Sequence, residues 1–411
     1  GNGQLSTTEI EQYDALQVIR NANIPWIDDT EDGSLGSGLM HHKFVIIDRQ
    51  TSLITSANFT LSDLHGDLDT ADSRGNANSL LVISHPPLAQ LFSTEFEILW
   101  GNGPGKTKDS RFGVNKPYRP AQSLRVGKAQ VWVQFSPTSA QIPWAKSTNG
   151  LIDQMLATAN QSIDLALFVF SEQQLANQLL TRHRQGIQIR ALVDSNFAYQ
   201  SYSELLDLLG IALSSGRGQK LTCQTEPLNY IWPQPLQTVG VPKLAPGDLL
   251  HHKYGVIDRR RVIIGSHNWS AAANQLNDET LLVIDNPLVA AHYQREFERL
   301  YINSELGLPK FLQQRVQQHQ HRCGSLKSAP SVSESSPLTT APSSAPGGLN
   351  RTTLVNINTA SQSELETLPG AGPQLARQII EHRPFRSLAD LDRVPGIGPR
   401  LLERWQNQVT W

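Results

Sequence analysis

The chain has 411 residues, of which 39% are hydrophobic and 18% are charged, a balance typical of globular domains. This length allows two or three domains. The formal net charge of −2 excludes an overall positive field that would attract nucleic acid, and no apolar run reaches the roughly 18 residues that a membrane-spanning helix needs.

A segment near the start of the chain is repeated, with changes, later in the sequence. Residues 41–60 read HHKFVIIDRQTSLITSANFT, and residues 251–270 read HHKYGVIDRRRVIIGSHNWS, at an offset of 210. A second pair, STEFEILW at 93–100 and QREFERLY at 294–301, matches at an offset of 201. Because the two matches keep their order, we interpret them as parts of two similar folding units.

The repeat and the local composition divide the chain into successive parts. We expect an incomplete first repeat at residues 1–105, a basic connection at 106–128, a second repeat at 129–310, a disordered linker rich in Ser, Pro and Thr at 324–350, and a small helical domain at 353–411.

The first repeat is expected to be incomplete at its start. Residues Tyr13–Arg20 have the pattern of the helix that we place at Tyr202–Leu209 in the second repeat. By that alignment the first strand of repeat 1 would fall roughly 55 residues before Gly1, so we expect a piece of a longer protein. A divergent, shorter first half is the alternative. Later in this repeat, residues Leu80–Ile83 have the apolar character of a strand.

The connection between the repeats is strongly basic. Its stretch 101–128 holds one acid, Asp109, against seven basic residues, which are Lys106, Lys108, Arg111, Lys116, Arg119, Arg125 and Lys128. This stretch is a candidate contact for the phosphate groups of nucleic acid, and an ordinary solvated connection is the alternative.

Strands and helices alternate in the second repeat, which predicts the α/β class, with mixed sheets flanked by helices in each of two repeats. In chain order we expect strand Ala129–Phe135, helix Asn149–Asn160, strand Ile163–Phe170, a helix capped by Ser171, strand Ile187–Val193, helix Tyr202–Leu209, strand Val262–Ile264 and strand Thr280–Ile284.

Each copy of the repeated segment carries one pattern of polar residues. The pattern is His-x-Lys, four residues, Asp, six residues and Gly-Ser-x-Asn, with Thr55 in place of the glycine in the first copy. The candidate catalytic residues of the two copies are His41, Lys43, Asp48, Asn58, His251, Lys253, Asp258, Ser266 and Asn268.

The spacing of the motif has a structural reason. Side chains two apart on a strand share a face, so His41 and Lys43 point to one side, and the corresponding pair of the second copy does the same. The intervening His42 and His252 are expected to pack or form hydrogen bonds on the other side. Two copies packed face to face would bring two histidines, two lysines and two asparagines around one point.

Such a site suits a phosphodiester. Lysine ammonium and asparagine amide groups can hold the non-bridging oxygens and stabilise the charge of the transition state. One neutral imidazole can attack phosphorus, while the other, protonated, donates to the leaving oxygen and later activates water. This chemistry requires no metal, and the sequence shows no carboxylate cluster to hold one.

The twin motifs resemble those of the phospholipase D superfamily, over roughly residues 1–305. The resemblance implies a pseudo-twofold pair of α/β domains, one site at their interface, a phosphohistidine intermediate and no cofactor. It also implies that the histidine of the first motif, His41, is the nucleophile and that His251 protonates the leaving group, although the residues alone do not distinguish the two.

In that family a downstream acid fixes the tautomer of the catalytic histidine. Glu279 fits this role in the second repeat, whereas in the first repeat strand register favours Asn78 and equal spacing favours Asp69. Asp48 and Asp258 are expected to brace the motif rather than touch phosphorus.

The tail contains two glycine turns, Pro369–Gly372 and Pro395–Gly398, each followed by a helical pattern. Bare backbone N–H groups above a helix N-terminus form a phosphate cradle. Together with Asn356–Ala360, these turns resemble the tandem helix-hairpin-helix module of bacterial competence-type DNA receptors, which implies sequence-independent binding of duplex DNA. The candidate DNA contacts are Gly370, Gly372, Arg377, Gly396, Gly398 and Arg400.

Residues 353–411 hold six arginines and six acids, so this binding would be weak, and a protein-docking role is the alternative. Three functions compete for the whole chain: a DNA-directed nuclease, a phospholipase D or phosphatidyl transferase that acts on lipid, and a non-catalytic DNA-binding protein. The tail favours the first, and the doubled motif disfavours the third. We expect a monomer with intramolecular pairing of its repeats. Its partners would be the DNA phosphate backbone, with phospholipid as the other possibility, and no metal.

The two cysteines, Cys223 and Cys323, are far apart and have no second metal-type ligand beside them. This argues against a zinc site and against a disulfide framework. It leaves the compartment open, and both the bacterial cytoplasm and an exported or periplasmic location fit.

Overall fold

The computed structural model describes residues 14–29, 38–66, 70–105, 109–213, 223, 225, 229–323, 355–365, 368, 373–383, 385, 391, 394, 405, 409 and 410. The chain forms two compact units, Gly1–Ser331 and Val332–Trp411. No helix among the residues just given is both long enough and apolar enough to cross a membrane.

The first repeat forms a small antiparallel sheet with strand order β1-β2-β3. Helix α3 packs against this sheet and buries Leu88 and Phe92 beside Ile54. The elements of this repeat are α1 (Ala15–Asn21), β1 (Phe44–Ile47), β2 (Thr51–Thr55), α2 (Leu61–Leu64), β3 (Leu80–Ser84) and α3 (Pro86–Trp100).

The second repeat is built on a nine-stranded mixed sheet, with strand order β14-β9-β8-β6-β10-β11-β13-β5-β4. Strands β6, β8 and β9 run parallel, and the other neighbouring pairs are antiparallel. The strands are β4 (Gln122–Val126), β5 (Ala129–Phe135), β6 (Ser162–Leu167), β8 (Gln188–Val193), β9 (Val239–Val241), β10 (Lys253–Ile257), β11 (Arg261–Gly265), β13 (Thr280–Asp285) and β14 (Glu305–Leu306). Two short strands, β7 (Phe170–Ser171) and β12 (Trp269–Ser270), pair with each other.

Helices cover both faces of this large sheet, which explains why its central strands are continuous apolar runs. The helices α4, α5 and α7 contribute to the core on one face, and α9 shares the core on the other face with α3 of the first repeat. The helices are α4 (Thr148–Leu156), α5 (Gln173–Arg184), α6 (Ser195–Ala198), α7 (Glu204–Leu208), α8 (Ala271–Gln275), α9 (Pro287–Tyr301) and α10 (Lys310–Cys323).

Most predicted elements of this repeat are present, with ends shifted by a few residues, and strand Ala129–Phe135 has the predicted bounds. The predicted cap at Ser171 was wrong. Ser171 pairs with Ser270 in the short parallel ladder, so the helix begins later, with Glu172 at its N-cap position and no side-chain capping bond.

One face of the first repeat is open where its counterpart is covered. Side chains that alternate along β1 and β3 are exposed, namely Val45, Ile47, Leu80 and Val82. At the equivalent positions of the second repeat, Ile257, Leu281 and Val283 are buried in the core that α4 and α5 cover. The described part of the first repeat has no helices equivalent to these two.

The second unit has its own small core. It contains the short parallel pair β15 (Val355–Asn356) and β16 (Val409–Thr410), and the helices α11 (Gln362–Leu365) and α12 (Pro373–Glu381). The buried side chains include Ile357, Leu365, Ile379, Phe385 and Trp405. The predicted linker 324–350 lies outside the described residues.

The expectation against a disulfide was wrong, because Cys223 and Cys323 form one, with their Cα atoms 5.3 Å apart across 100 residues of sequence. Helix α10 ends at Cys323 and packs Leu312 into the core of the second repeat, which brings Cys323 close to Cys223. A contact at this sequence distance leaves no local signal.

The basic connection is partly internal. The Lys116 ammonium is fully buried, lies 2.5 Å from Glu95 Oε1 and also pairs with Asp278, while Arg119 Nε lies 2.8 Å from Glu95 Oε2. These two cations neutralise acids of both repeats, so the interpretation of them as phosphate contacts was wrong. The side chains left exposed are those of Arg111, Arg125 and Lys128, and Lys106 and Lys108 lie outside the described residues.

The buried cluster around Lys116 also contains three side chains of the types that bind metal ions, and the sequence did not reveal this group. His42, Glu95 and Asp278 offer ligand atoms within 4.8 Å of one another. They come from three separate segments, which is why no spacing pattern shows them. The Lys116 ammonium already bridges the two carboxylates, so it supplies the positive charge at this point.

Lys116→Met should destabilise the first unit by about 3–5 kcal/mol, because two buried carboxylates lose their cation. Urea unfolding followed by circular dichroism measures the change. Lys128→Met, at an exposed site of the same connection, should stay within about 0.5 kcal/mol of the unsubstituted chain. Equal midpoints for the two variants would contradict a stabilising role for the cluster.

Candidate active site

The two motifs meet where the repeats join. Two parallel bridges connect the repeats, one between Met40 and Asp278 and the other between Ala77 and Leu250. The backbone N–H of His41 donates to the carbonyl of Asp278 over 2.9 Å. Met40 corresponds to Leu250, and Ala77 to Asp278, at the two offsets of the repeat. The junction is therefore pseudo-twofold, and it places both histidines at its centre.

His41 is held by a carboxylate of the other repeat. Its Nδ1 lies 2.7 Å from Oε2 of Glu279, which is 0% exposed. A carboxylate only accepts, so Nδ1–H donates. Ser266 Oγ donates to the same oxygen over 2.7 Å, and Asn277 Nδ2 donates to Oε1 over 3.2 Å. Burial alone would raise the pKa of Glu279, but the hydrogen bond and charge of His41 and the hydrogen bond of Ser266 hold it below its usual range.

The expectation that Glu279 serves the histidine of its own repeat was therefore wrong. β13 begins directly after Glu279, and the bridge at Asp278 turns this end of the strand toward the first repeat. The carboxylate consequently reaches His41 and not His251.

His251 has an amide as its immediate partner. Its Nδ1 lies 3.0 Å from Asn78 Oδ1, whereas the carboxylate oxygen Oδ2 of Asp63 is 3.9 Å away. Asn78 Nδ2 donates to Asp63 Oδ1 over 3.3 Å, and the Asn58 backbone N–H donates to Asp63 Oδ2 over 2.6 Å. The residue that strand register favours, Asn78, is equivalent to Glu279, but it contacts His251 of the other repeat and not His41, so its expected partner was wrong as well. The alternative, Asp69, lies outside the described residues.

Asp63 is a site residue that the sequence did not reveal. It lies on the short helix α2, and its counterpart at the motif offset is Ala273, so the repeat gives no indication of it. Because Asp63 has no acidic equivalent in the other copy, the signal that could have identified it is a difference between the repeats and not a match.

The lysines are buried beside the histidines. Lys43 Nζ donates to the carbonyl of His41 over 2.8 Å, and Lys253 Nζ donates to that of His251 over 2.7 Å. Burial lowers the pKa of Lys43 to about 8. Burial, and then the charge of Lys43, lowers the pKa of Lys253 well below its usual value. The negative charge of a phosphate group placed here would oppose these shifts and favour the ammonium form of both lysines.

An aromatic wall supports the second motif. The ring of Phe168 lies 4.6 Å from that of His251 in an edge-to-face arrangement, and Lys253 Nζ lies 4.7 Å from the centre of the same ring. Burial, followed by the charge of Lys253, lowers the pKa of His251 to about 3, although the charge of Asp63 opposes this shift. Burial and the charge of Lys253 thus favour the neutral form of the His251 imidazole.

The histidines between the motif positions point away, and their expected packing role is confirmed. His42 Nε2 lies 3.1 Å from Glu95 Oε1, and His252 Nε2 lies 3.3 Å from Glu296 Oε1. Each pair joins a motif strand to the helix that follows in the same repeat. These contacts obey the pseudo-twofold relation, since the two glutamates lie at the helix offset of 201.

The motif aspartates lie at the far ends of their strands. Asp258 follows β10 with a φ of 52° and accepts hydrogen bonds from the backbone N–H groups of Asn160, Gln161 and Ser162 over 2.7–3.2 Å. Asp48 follows β1 with a φ of 51° and is exposed. Strands four or five residues long separate both from the histidines, so the structure does not bring Asp48 and Asp258 into the histidine cluster.

The residues of the second Gly-Ser-x-Asn segment have different structural roles. Ser266 orients Glu279, and Gly265, with a φ of 142°, allows the carbonyl of Thr280 to approach where a Cβ would clash. In the first copy Thr55 stands in place of the glycine, and its hydroxyl donates a hydrogen bond to the carbonyl of Ser79.

The motif asparagines differ from each other. Asn58 joins the His251 side through its backbone N–H, as described above. The Oδ1 atom of Asn268 is buried without a hydrogen-bond partner within the described part of the chain. Among the described residues, no hydrogen bond joins the Asn268 side chain to His41 or His251.

In the second unit, Arg377 is exposed on α12. The other candidate DNA contacts, Gly370, Gly372, Gly396, Gly398 and Arg400, lie outside the described residues. The Asn358 side chain exchanges two hydrogen bonds with the backbone of Phe385, which gives the segment before the first turn a structural role.

Comparison with known families identifies both parts of the chain. A family model described as "Cardiolipin synthase, PLD-like domain" matches residues 3–100 and 152–301. A second, described as "Helix-hairpin-helix motif", matches residues 350–410.

Among curated proteins, the chain is similar to a mitochondrial cardiolipin hydrolase of Xenopus tropicalis. The two are 28% identical over 163 residues, which are 40% of this chain and 65% of that protein. The human protein of the same name is 26% identical over 39% of this chain and 53% of its own length. A phospholipase D of Rickettsia bellii is 26% identical over 41% of this chain and 68% of its own. The chain thus spans less than two thirds of the length of the cardiolipin hydrolases that it matches.

Solved structures overlap the chain only in part. Nuc from Salmonella typhimurium is 18% identical, with a TM-score of 0.32, over 44% of this chain and 98% of its own. A phosphatidylserine synthase from Haemophilus influenzae is 13% identical, with a TM-score of 0.41, over 70% of this chain and 71% of its own.

Asp258→Ala should destabilise the first unit by about 1–3 kcal/mol more than Asp48→Ala, because, among the residues that the structure describes, Asp258 is the one of the two that accepts backbone N–H groups. Both substitutions place alanine at a positive φ, so this backbone effect cancels in the comparison. Denaturant unfolding of both variants measures the difference. A larger loss for Asp48→Ala would show that the N–H contacts are not the stabilising feature.

Proposed function

The chain belongs to the phospholipase D-like family, and we propose that it is a phosphodiesterase that cleaves DNA through a phosphohistidine intermediate. The observation that carries the proposal is the pair of histidines, each held at Nδ1 by a side chain of the opposite repeat. Because both rings are fixed through Nδ1, both can offer Nε2 to a substrate. Two such rings beside two buried lysines match the needs of a displacement at phosphorus.

The chemistry follows from the charges at the site. The ammonium groups of Lys43 and Lys253 would hold the non-bridging oxygens, with strength increased by their burial. One imidazole attacks phosphorus and forms a P–N bond while the P–O bond to the leaving group breaks. The other imidazole gives its proton to the leaving oxygen, and then removes a proton from the water that attacks phosphorus and frees the first ring.

DNA is the proposed substrate because of the tail. We propose that residues 353–411 hold the polymer through the N–H groups of their glycine turns and through arginines. Arg377 is exposed on α12, as such a contact requires. We also propose the domain limits given by the sequence and a monomeric enzyme, since the two repeats of one chain supply both histidines and their partners.

Phospholipid is the second candidate substrate. Relatives of this chain are named as a cardiolipin hydrolase and a phospholipase D. Lipid and nucleic-acid diesters share the same reacting group, so the histidine site serves either. A lipid substrate would leave the helix-hairpin-helix tail without a use in catalysis, and for this reason we favour DNA.

The chain should nick plasmid DNA in the presence of EDTA, since lysines rather than a metal meet the phosphate charge. His251→Ala should lose at least about 10²-fold of this activity. His292→Ala, which removes an exposed histidine of α9, is the matched control and should keep full activity. Nicking is followed on agarose gels, with RNA and with vesicles of phosphatidylcholine and cardiolipin assayed in parallel.

Turnover of lipid alone would refute the DNA proposal, as would nicking that survives His251→Ala. Arg377→Glu tests the tail separately, because it should weaken DNA cleavage at low substrate concentration and leave hydrolysis of a small diester unchanged. A loss on the small diester would show that the tail belongs to the catalytic fold.

A further inference from the structure

The two motif histidines are held at Nδ1 by groups of different kinds. Glu279 presents a carboxylate to His41, and Asn78 presents an amide to His251. A carboxylate accepts a hydrogen bond through either oxygen, whereas an amide accepts through its oxygen and donates through its nitrogen. The Asn78 amide therefore accepts a hydrogen bond from the His251 ring only while its oxygen faces that ring.

The direction of this amide decides which form the ring takes. Attack on phosphorus and proton transfer would both use Nε2 of His251, because Asn78 occupies Nδ1. With the amide oxygen toward the ring, Nδ1 carries a proton in the neutral and in the charged form, and Nε2 stays available. With the amide reversed, its NH2 group would face Nδ1. The neutral ring would then carry its proton on Nε2, where it could neither attack phosphorus nor accept a proton.

The other contacts of the Asn78 amide fix its direction. Its Nδ2 donates to Oδ1 of Asp63 over 3.3 Å, and the carbonyls of Asp63 and Asn76 lie 3.3 and 3.1 Å from the same nitrogen. Its Oδ1 accepts from the hydroxyl of Ser56 over 3.1 Å. The Asp63 carboxylate is the charged member of this set. Reversal of the amide would place the Asn78 oxygen against that negative charge, so Asp63 opposes it most strongly.

Asp63 is itself held by oriented donors. The backbone N–H of Asn58 donates to Oδ2 over 2.6 Å, and Nδ2 of Asn76 donates to Oδ1. Asn76 is oriented in turn by the backbone N–H of Leu249, which donates to its Oδ1 over 2.8 Å. Burial alone would raise the pKa of Asp63, but the hydrogen bond from Asn76 opposes burial and the net shift of the pKa is downward. Asp63 is therefore an acceptor on both oxygens.

The equivalent positions of the other repeat are filled differently. The counterpart of Asp63 at the motif offset is Ala273, and the position equivalent to Asn78 holds Glu279, whose carboxylate accepts in either direction. From this difference we infer that Asp63 is a positioning residue for His251, which acts by holding the Asn78 amide with its oxygen toward Nδ1. The inference rests on the proposed phosphodiesterase function, and it applies whichever histidine attacks phosphorus.

A double-mutant cycle on the full chain tests the inference. In Asp63→Asn, the new amide has one oxygen for donors on two sides, so the hold on the Asn78 amide is weakened. We expect kcat on plasmid DNA and on bis(p-nitrophenyl) phosphate to fall at least about 10-fold, with little change in KM. This is part of the roughly 10²–10⁴-fold that a positioned acid–base group contributes. Asp72→Asn, at an exposed aspartate of the same repeat, is the matched control and should keep full activity.

The second substitution moves the carboxylate to the ring. When Asn78→Asp is added to Asp63→Asn, either oxygen of the new carboxylate can accept from His251 Nδ1, so its direction no longer matters. The double variant should recover most of the lost kcat. Asn78→Asp alone brings two buried carboxylates together and should lower the midpoint of urea unfolding. A double variant no more active than Asp63→Asn would overturn the inference, because a merely structural loss is not repaired in this way. Unchanged kcat in Asp63→Asn would overturn it too.

A measurement without substrate separates the inference from the proposed function. The ¹⁵N chemical shifts of a histidine ring distinguish a nitrogen that carries a proton from one with a lone pair, and His251→Gln identifies the resonances of this ring. Nδ1 should carry a proton in the unsubstituted chain, and in Asp63→Asn a fraction of the rings should carry it on Nε2 alone. A lone pair on Nδ1 in the unsubstituted chain, or identical shifts in Asp63→Asn, would contradict the inference even if DNA is cleaved. If neither diester is cleaved while the shifts change as expected, the proposed function fails and the orientation of His251 by Asp63 stands.

Discussion

The pairing of the two repeats along one pseudo-twofold junction is the constraint on which the site depends. The bridges at Met40–Asp278 and Ala77–Leu250 bring each motif histidine within reach of a side chain from the other repeat. Neither repeat alone contains both a catalytic-motif histidine, His41 or His251, and the side chain that holds its Nδ1 atom. The shared apolar core, in which Phe92 of the first repeat packs with strands of the second, maintains this junction. Because fixing two chain segments in one geometry costs conformational entropy, a large apolar contact is needed to hold polar groups so closely.

Burial decides how the charged groups of the site behave. Lys43 and Lys253 are withdrawn from water, which makes each cation a stronger partner for phosphate than an exposed lysine would be. The acids nearby are distributed unequally, with Glu279 on one histidine and Asp63 behind an amide on the other side. A symmetric repeat has therefore become a site with two chemically different imidazoles. That difference is what a two-step displacement needs, since one ring must be neutral while the other holds a proton.

The connection between the repeats contributes to the same junction. Lys116 is a basic residue in a basic segment, and its sequence context favoured a surface contact with phosphate. It lies instead between carboxylates of both repeats, where it neutralises charges that would otherwise be buried without a partner. The tail forms a second compact unit with a core of its own. The basic connection therefore contributes charges that stabilise the fold. The tail, by contrast, has glycine turns whose pattern indicates a binding partner.

The sequence by itself determined the α/β class, the two repeats, the strands of the second repeat and the motif residues, because the period of apolar residues and an internally repeated motif can be read from the chain without its packing. Strand register indicated that Asn78 is the equivalent of Glu279, but not which histidine it contacts. Only the tertiary structure decided that Glu279 serves His41, that Asp63 stands behind Asn78, that Lys116 is internal and that Cys223 meets Cys323. Each of these contacts joins residues distant in the chain or on separate elements, and their proximity depends on how strands cross and where a helix packs. A duplicated motif predicts symmetry, and the departures from symmetry that set the charges appear only once the two copies are packed together.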